Sequence, residues 1–178
     1  MKIGDVFTLT EIDIQIVELV AYKRQKNKED TGKNGLGTAA LDNKHLERNI
    51  IGFGAEYTFC KSYNLFPDFW IGNTSKLKGT DPCDAILHKK TIDVKTSTKD
   101  YPLMTPHYSI SNCDIFALFY CIYPKYRFEG FATNDMLFDK QNLKKKYSES
   151  YILKDSYVLP KKYLLEYNQL GFEKKHNK

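Results

Sequence analysis

Residues 84–97, DAILHKKTIDVKTS, set two aspartates and a lysine among apolar and β-branched neighbours. Side chains alternate between the faces of a strand, so parity sorts such a stretch into two surfaces. With Lys89 and Lys90 at the tip of a two-residue turn, His88 faces Thr91, Leu87 faces Ile92, and Asp84 lies opposite Lys95. Ala85, Leu87, Ile92 and Val94 then make an apolar surface, while Asp84, Ile86, Asp93 and Lys95 share the other. Two neighbouring carboxylates repel and one ammonium offsets them only in part, so the arrangement calls for a cation. Hard oxygen donors select Mg²⁺ or Mn²⁺, an ion that takes one or two carboxylates and completes its octahedron with water and substrate phosphate. The backbone carbonyl of Val94, between the two charged side chains, is a further candidate ligand.

Glu56 adds to this group. It sits in the apolar segment IIGFGAEYTFC, where a carboxylate needs a partner. Gly52 and Gly54 would each cost a helix about 1 kcal/mol relative to alanine, and close approach to another backbone supplies a reason for them. A helix lying that close to the sheet lets Glu56 reach the metal or its water. The plainer alternative points Glu56 to solvent.

The elements that position these groups follow from periodicity and caps. Thr10, with Asp13 as capping-box partner, opens a helix through EIDIQIVELVAYKRQKN, whose last turn gathers Lys23, Arg24 and Lys26. That basic cluster reads as a solvated helix end or as a phosphate contact. A polar, glycine-bearing loop over residues 27–38 leads to a second helix, from about Leu41 to Tyr63. Residues 67–82 read as a loop. Strands follow at 84–88, 91–97, CDIFALFYC and YRFEGFAT, the third apolar on both faces as a central strand should be. Thr133 caps a short helix, SYVLP is a last extended segment, and KKYLLEYNQLGF is a final helix stopped by Gly171. The order predicts a mixed α/β (α+β) protein with a central mixed sheet flanked by helices.

At 178 residues and 42% hydrophobic content, the chain is expected to form a single domain, with its core over about 40–170 and a basic tail over 173–178. Cys60, Cys83, Cys113 and Cys121 lack CxxC spacing, and neither a zinc site nor a disulfide framework is expected. The formal charge of +5 mixes 27 basic with 22 acidic residues, which permits a nucleic-acid partner without demanding one. No apolar run approaches the roughly 20 residues that span a bilayer, and the start lacks the basic-then-apolar layout of a secretory signal. The expectation is a soluble, cytoplasmic protein with no membrane partner.

An acid at the start of one strand, then acid-x-Lys on the next, resembles the core motif of the PD-(D/E)XK nuclease superfamily, the restriction-endonuclease-like fold. Asp84, Asp93 and Lys95 match it, and Glu56 matches the acid that many members carry on the preceding helix. The triplet D/E-x-K also occurs at 42–44 and 173–175, but only the middle copy lies in a β-branched run behind another acid. The order GFGAEYTFCKSYNLFPD, DAIL, KKTIDVKTS, NCDIFALFY, FEGFATNDML and YVLP extends the resemblance over roughly residues 45–160, and is similar to a group of small nuclease-like proteins often encoded by phages. Asp81 is a rival for the first acid, though two residues of further extension carry it beyond Lys95.

The resemblance implies a Mg²⁺-dependent nuclease that hydrolyses phosphodiester bonds in DNA, RNA being the alternative substrate. Asp84, Asp93 and Glu56 would hold the ion, and Lys95 would orient or help deprotonate the nucleophile and offset charge in the transition state. Thr96 and Ser97 are candidate phosphate contacts or ordinary strand residues. His88 shares the charged face by parity but sits beside the turn, and His107 has no identified partner. Lys144–Lys146 and the tail read as solvated surface that could add nonspecific phosphate attraction. The alternatives are an inactive relative that binds nucleic acid or protein through the same fold, and a structural ion-pair cluster with no ligand.

Overall fold

The structure, a computed structural model, describes residues 1–30, 43–69, 71, 83–108, 111–148 and 151–172. Of the loop expected over residues 27–38, residues 27–30 are instead the last turn of the first helix and the rest lies outside these residues, as do most of segment 67–82, with Asp81, and the tail 173–178. Among the described residues no helix is long and apolar enough to cross a membrane.

The chain forms β1 (Val6–Thr8), α1 (Glu11–Asp30), α2 (Asn43–Ser62), β2 (Ala85–Leu87), β3 (Lys90–Ser97), β4 (Leu103–Pro106), β5 (Ile115–Ile122), β6 (Lys125–Thr133), α3 (Asn134–Leu137), β7 (Leu143–Ser148) and β8 (Tyr151–Leu159). It is an α+β architecture. A five-stranded sheet runs β1-β6-β5-β3-β2 and a three-stranded one runs β4-β8-β7. Among the described residues only the β3–β5 pairing is parallel; the connection between them passes through β4 of the second sheet.

The two faces of the larger sheet are covered differently. Ile92, Val94, Ile115, Ala117 and Phe119 meet Val17, Phe53 and Phe59 of the two long helices. Phe116, Leu118 and Ala132, on the opposite face by parity, meet Leu103, Tyr157 and Leu159 of the second sheet. The two long helices therefore cover one face, while the short α3 joins the second sheet on the other through Leu137. β5, between β3 and β6, is buried along nearly its whole length, as its double-sided apolar run requires.

Helix α1 begins as its capping box dictates: the Thr10 N–H donates to Asp13 Oδ2 at 2.9 Å, and the Asp13 N–H donates to Thr10 Oγ1 at 3.3 Å. Asp13 is buried, and it also accepts from Tyr57 Oη at 2.8 Å and Lys61 Nζ at 2.7 Å on α2. One carboxylate thus caps α1 and fastens it to α2. Burial alone would raise its pKa, but Lys61, Thr10 and Tyr57 together hold it well below the usual carboxylate range.

The reason for Gly54 is a side chain rather than a backbone. A Cβ there would collide with the phenol of Tyr126, which is fully buried and donates to the Ile51 carbonyl at 3.3 Å. Gly52 has nothing within 4 Å of the same position, so no packing requires it.

Three further expectations are corrected. The final helix is instead two 3-10 turns, Lys161–Tyr163 and Tyr167–Gln169. Between them Leu165 exchanges backbone hydrogen bonds with Phe131, at 2.7 and 2.9 Å, and that pairing is incompatible with helix. Cys83 and Cys113 form a disulfide across a separation of 30 residues, while Cys60 and Cys121 are free and buried. β1, β4 and β7 are strands that the side-chain pattern did not announce. Lys144 and Lys145 lie in β7 and are exposed, in keeping with the solvated reading.

Candidate functional site

The hairpin turns one residue earlier than its lysines suggest. His88 and Lys89 have φ of 49° and 66°, the left-handed pair of a two-residue type I′ turn, and Leu87 pairs with Lys90. Ala85 then pairs with Ile92, so the register sets Asp84 against Asp93 rather than Lys95. Moving the turn by one residue shifts pairing by two, which preserves parity. Asp84, Asp93 and Lys95 therefore still belong to one face while their partners change.

Asp84 sits just before β2 and turns its carboxylate onto the edge of β3, where Oδ2 accepts the Val94 N–H at 2.6 Å. Strand N–H groups project within the sheet, so this acceptor lies close to its plane. The N–H and C=O of one strand residue point the same way, and the Val94 carbonyl shares that edge. Asp93 is buried and ion-paired through Oδ1 to Lys95 Nζ at 2.6 Å; the Lys95 side chain is 37% exposed.

Glu56 reaches the group from the other side, because α2 packs on the face that carries Ile92 and Val94. Its Oε2 lies 3.3 Å from Arg24 Nη1, and the other guanidinium nitrogen donates to the Asp68 carbonyl at 2.6 Å. Arg24 also lies over the Phe53 ring at 4.6 Å. Of the basic cluster on α1, Lys23 and Lys26 are exposed and Arg24 turns inward. The signal for this was in the spacing: Arg24 follows the buried Val20 and Ala21 by four and three residues, the helical neighbours on one face. α1 also runs on to Asp30, so the cluster lies one turn short of its end.

The three carboxylates feel one another. Burial, then the charge of Glu56, push Asp84 up to about 8; Asp93 adds to the rise, and the Val94 N–H and Lys95 offset part of it. Burial also raises Glu56, against the Arg24 guanidinium, with Asp68 and Asp93 adding to the rise. Oδ1 of Asp84, Oδ2 of Asp93 and Oε1 of Glu56 have no protein hydrogen bond among the described residues. These donors fit a hard divalent cation: anionic oxygens, mutually repelling, each acid with one oxygen to spare. As they stand, no three acidic, histidine or cysteine side chains among the described residues are gathered closely enough to hold one.

The remaining candidates take ordinary places. Thr96 Oγ1 is buried with no hydrogen-bond partner among the described residues, and Ser97 closes a turn, donating to the Lys99 carbonyl at 2.9 Å. His88 Nε2 lies 2.6 Å from Tyr167 Oη. His107 stacks on Tyr157, ring centroids 6.2 Å apart, and its N–H donates to the Asp155 carbonyl. Comparison with protein-family models, with curated proteins and with solved structures returns no match.

Proposed function

We propose that the chain is a Mg²⁺-dependent nuclease of restriction-endonuclease-like fold, acting on phosphodiester bonds of DNA. The observation that carries this reading is the meeting of Asp84, Asp93 and Lys95 at one strand edge, with Glu56 reaching toward them from the facing helix so that its charge raises the Asp84 pKa. Asp84, Asp93, Glu56 and the Val94 carbonyl would hold the ion, which would polarise the phosphate and lower the pKa of bound water. Lys95 is the one cation of the group open to solvent by more than a third, and it can orient water or neutralise charge on phosphoryl oxygens. Arg24 opposes the rise that burial imposes on the Glu56 pKa and fixes the carboxylate, a positioning role.

A second reading has its own support. Lys95 already pairs with Asp93 and Arg24 with Glu56, as in a nuclease-fold protein that binds nucleic acid or protein without cleaving it. Incubation with supercoiled, linear and single-stranded DNA, and with RNA, with and without Mg²⁺, separates the two. Chelator-sensitive cleavage lost in Asp93→Ala and Lys95→Ala supports the nuclease. Intact substrates of every form under all conditions support the binding module.

A further inference from the structure

A second charged cluster lies on the same sheet face as Lys95. Lys95 pairs with Leu118, Ser97 with Tyr120, and Tyr120 in turn with Arg127. Residues that pair, or that stand two apart along a strand, point to one face. From strand spacings alone, the Cα atoms of Lys95 and Arg127 are roughly 12 Å apart, a span of a few nucleotides.

The cluster is built around a buried acid. Leu118 pairs with Gly130 and Phe119 with Phe128, so Glu129 is the extra residue of a β-bulge, a device that re-aims a side chain. Its carboxylate is buried and accepts from Arg127 Nε at 2.6 Å and from Lys161 Nζ at 2.8 Å. Both cations also lie over the ring of Tyr120, at 4.8 and 5.8 Å from its centroid. One buried negative charge thus anchors two positive ones. The charge left over is met by Asp100, which ion-pairs with Lys161 and lies 3.8 Å from Arg127 Nη2.

The two acids differ in kind. Glu129 is enclosed, whereas the Asp100 side chain is 78% exposed in the bend between β3 and β4. Lys161 holds the Asp100 carboxyl below its ordinary value; burial disfavours charge on Lys161, but Asp100 and Glu129 outweigh it and raise its pKa. An exposed carboxylate on two fixed cations resembles a replaceable anion. A phosphodiester offers the same charge with more spread oxygens, suited to a guanidinium and an ammonium side by side.

We propose that Arg127 and Lys161 form a binding site for a backbone phosphate of a nucleic-acid strand, and that Asp100 occupies this site until the strand displaces it. The identity of the ligand rests on the nuclease reading; the site itself rests on the Glu129-anchored cations. Asp100 thereby weakens casual binding of anions and holds both cations in position.

The test is binding of a short fluorescein-labelled DNA duplex, and of its single strand, by the full chain in Mg²⁺-free buffer with chelator, over a salt series. Asp100→Asn should bind roughly two- to fivefold tighter at low salt, the worth of an exposed ion pair. Arg127→Gln and Lys161→Gln should bind more weakly, each flattening the dependence of log affinity on log salt by about 0.7–0.9. Asp100→Asn binding no tighter than the parent, or neither protein binding either probe, overturns the proposal. Asp100 is too exposed for its variant to fail by misfolding, so that arm stands if a cation variant does not fold. Cleavage is scored separately: unaltered DNA affinity beside Mg²⁺-dependent cutting sinks this site alone, and altered affinity without cutting sinks only the nuclease.

Discussion

Asp84 accepts the backbone N–H of Val94 at 2.6 Å while the register places it opposite Asp93. The hydrogen bond fixes one oxygen of the acid at the strand edge and leaves the other toward like charges. Burial and Glu56 then keep the group half-protonated near pH 8. In linkage terms the folded chain binds a proton that the unfolded chain has released above its ordinary carboxylate pKa. Asp84 therefore favours folding at low pH, and that contribution is lost as pH rises from about 4 through about 8.

A bound dication reverses this balance by displacing the proton. Mg²⁺ should raise the melting temperature more at pH 8.5 than at pH 5.5, with apparent affinity rising up to about tenfold per pH unit below 8. Thermal melts with and without Mg²⁺ at the two pH values measure it. An equal shift at both, or one that survives Asp84→Asn unchanged, would place the ion elsewhere.

Arg24 is expected to matter for stability before it matters for substrate. Arg24→Gln leaves the Glu56 charge beside Asp68 and Asp93 without its partner. Since the two side chains are 24% and 21% exposed, the loss at pH 7 should be about 2 kcal/mol, below that of a fully enclosed pair. Glu56, its pKa raised further in the variant, takes up a proton as pH falls, so the deficit should shrink toward pH 5. Urea unfolding at the two pH values is the measurement. A deficit independent of pH would assign Arg24's contribution to its stacking on Phe53 instead.

The paired glycines of α2 should respond in opposite directions. Gly54→Ala drives a methyl group into the buried Tyr126 phenol and should cost about 1–3 kcal/mol. Gly52→Ala meets open space and should gain up to about 1 kcal/mol from helix propensity. Denaturant midpoints of the two variants decide it; destabilisation by both would mean that Gly52 serves something other than packing.

What the sequence made legible were features set by local chemistry. The Thr10 and Thr133 caps, the double-sided apolar run of β5 and the shared face of Asp84, Asp93 and Lys95 depend on neighbours a few residues away. The face assignment held although the turn was misplaced, because moving a two-residue turn along the chain shifts the pairing by two and keeps parity. What escaped was set by distant partners. Leu165 pairs with Phe131, Cys83 with Cys113, and β4 and β7 with β8; none of these pairings leaves a periodic trace. The helical pattern of residues 161–172 lost to the backbone of β6 for that reason.

The Cys83–Cys113 link makes the seating of Asp84 answer to the redox poise of its surroundings. Cys83 adjoins Asp84 in sequence, and Cys113 is buried beside Asp114, whose carboxylate accepts the Thr91 N–H at 2.9 Å at the start of β3. Oxidised, the bridge moors the segment leading into β2 to the head of β5. A dithiol reductant that attacks it ends as its own disulfide and leaves two cysteine thiols, releasing that mooring. Dithiothreitol, or Cys113→Ser, should then weaken Mg²⁺ binding several-fold by calorimetry and remove about 3–4 kcal/mol of stability, the worth of a loop of this length. Equal Mg²⁺ affinity in both states would mean that the β2–β3 ladder alone seats the acid. A cell compartment rich in thiols and one poor in them would otherwise hold two differently competent forms of one chain.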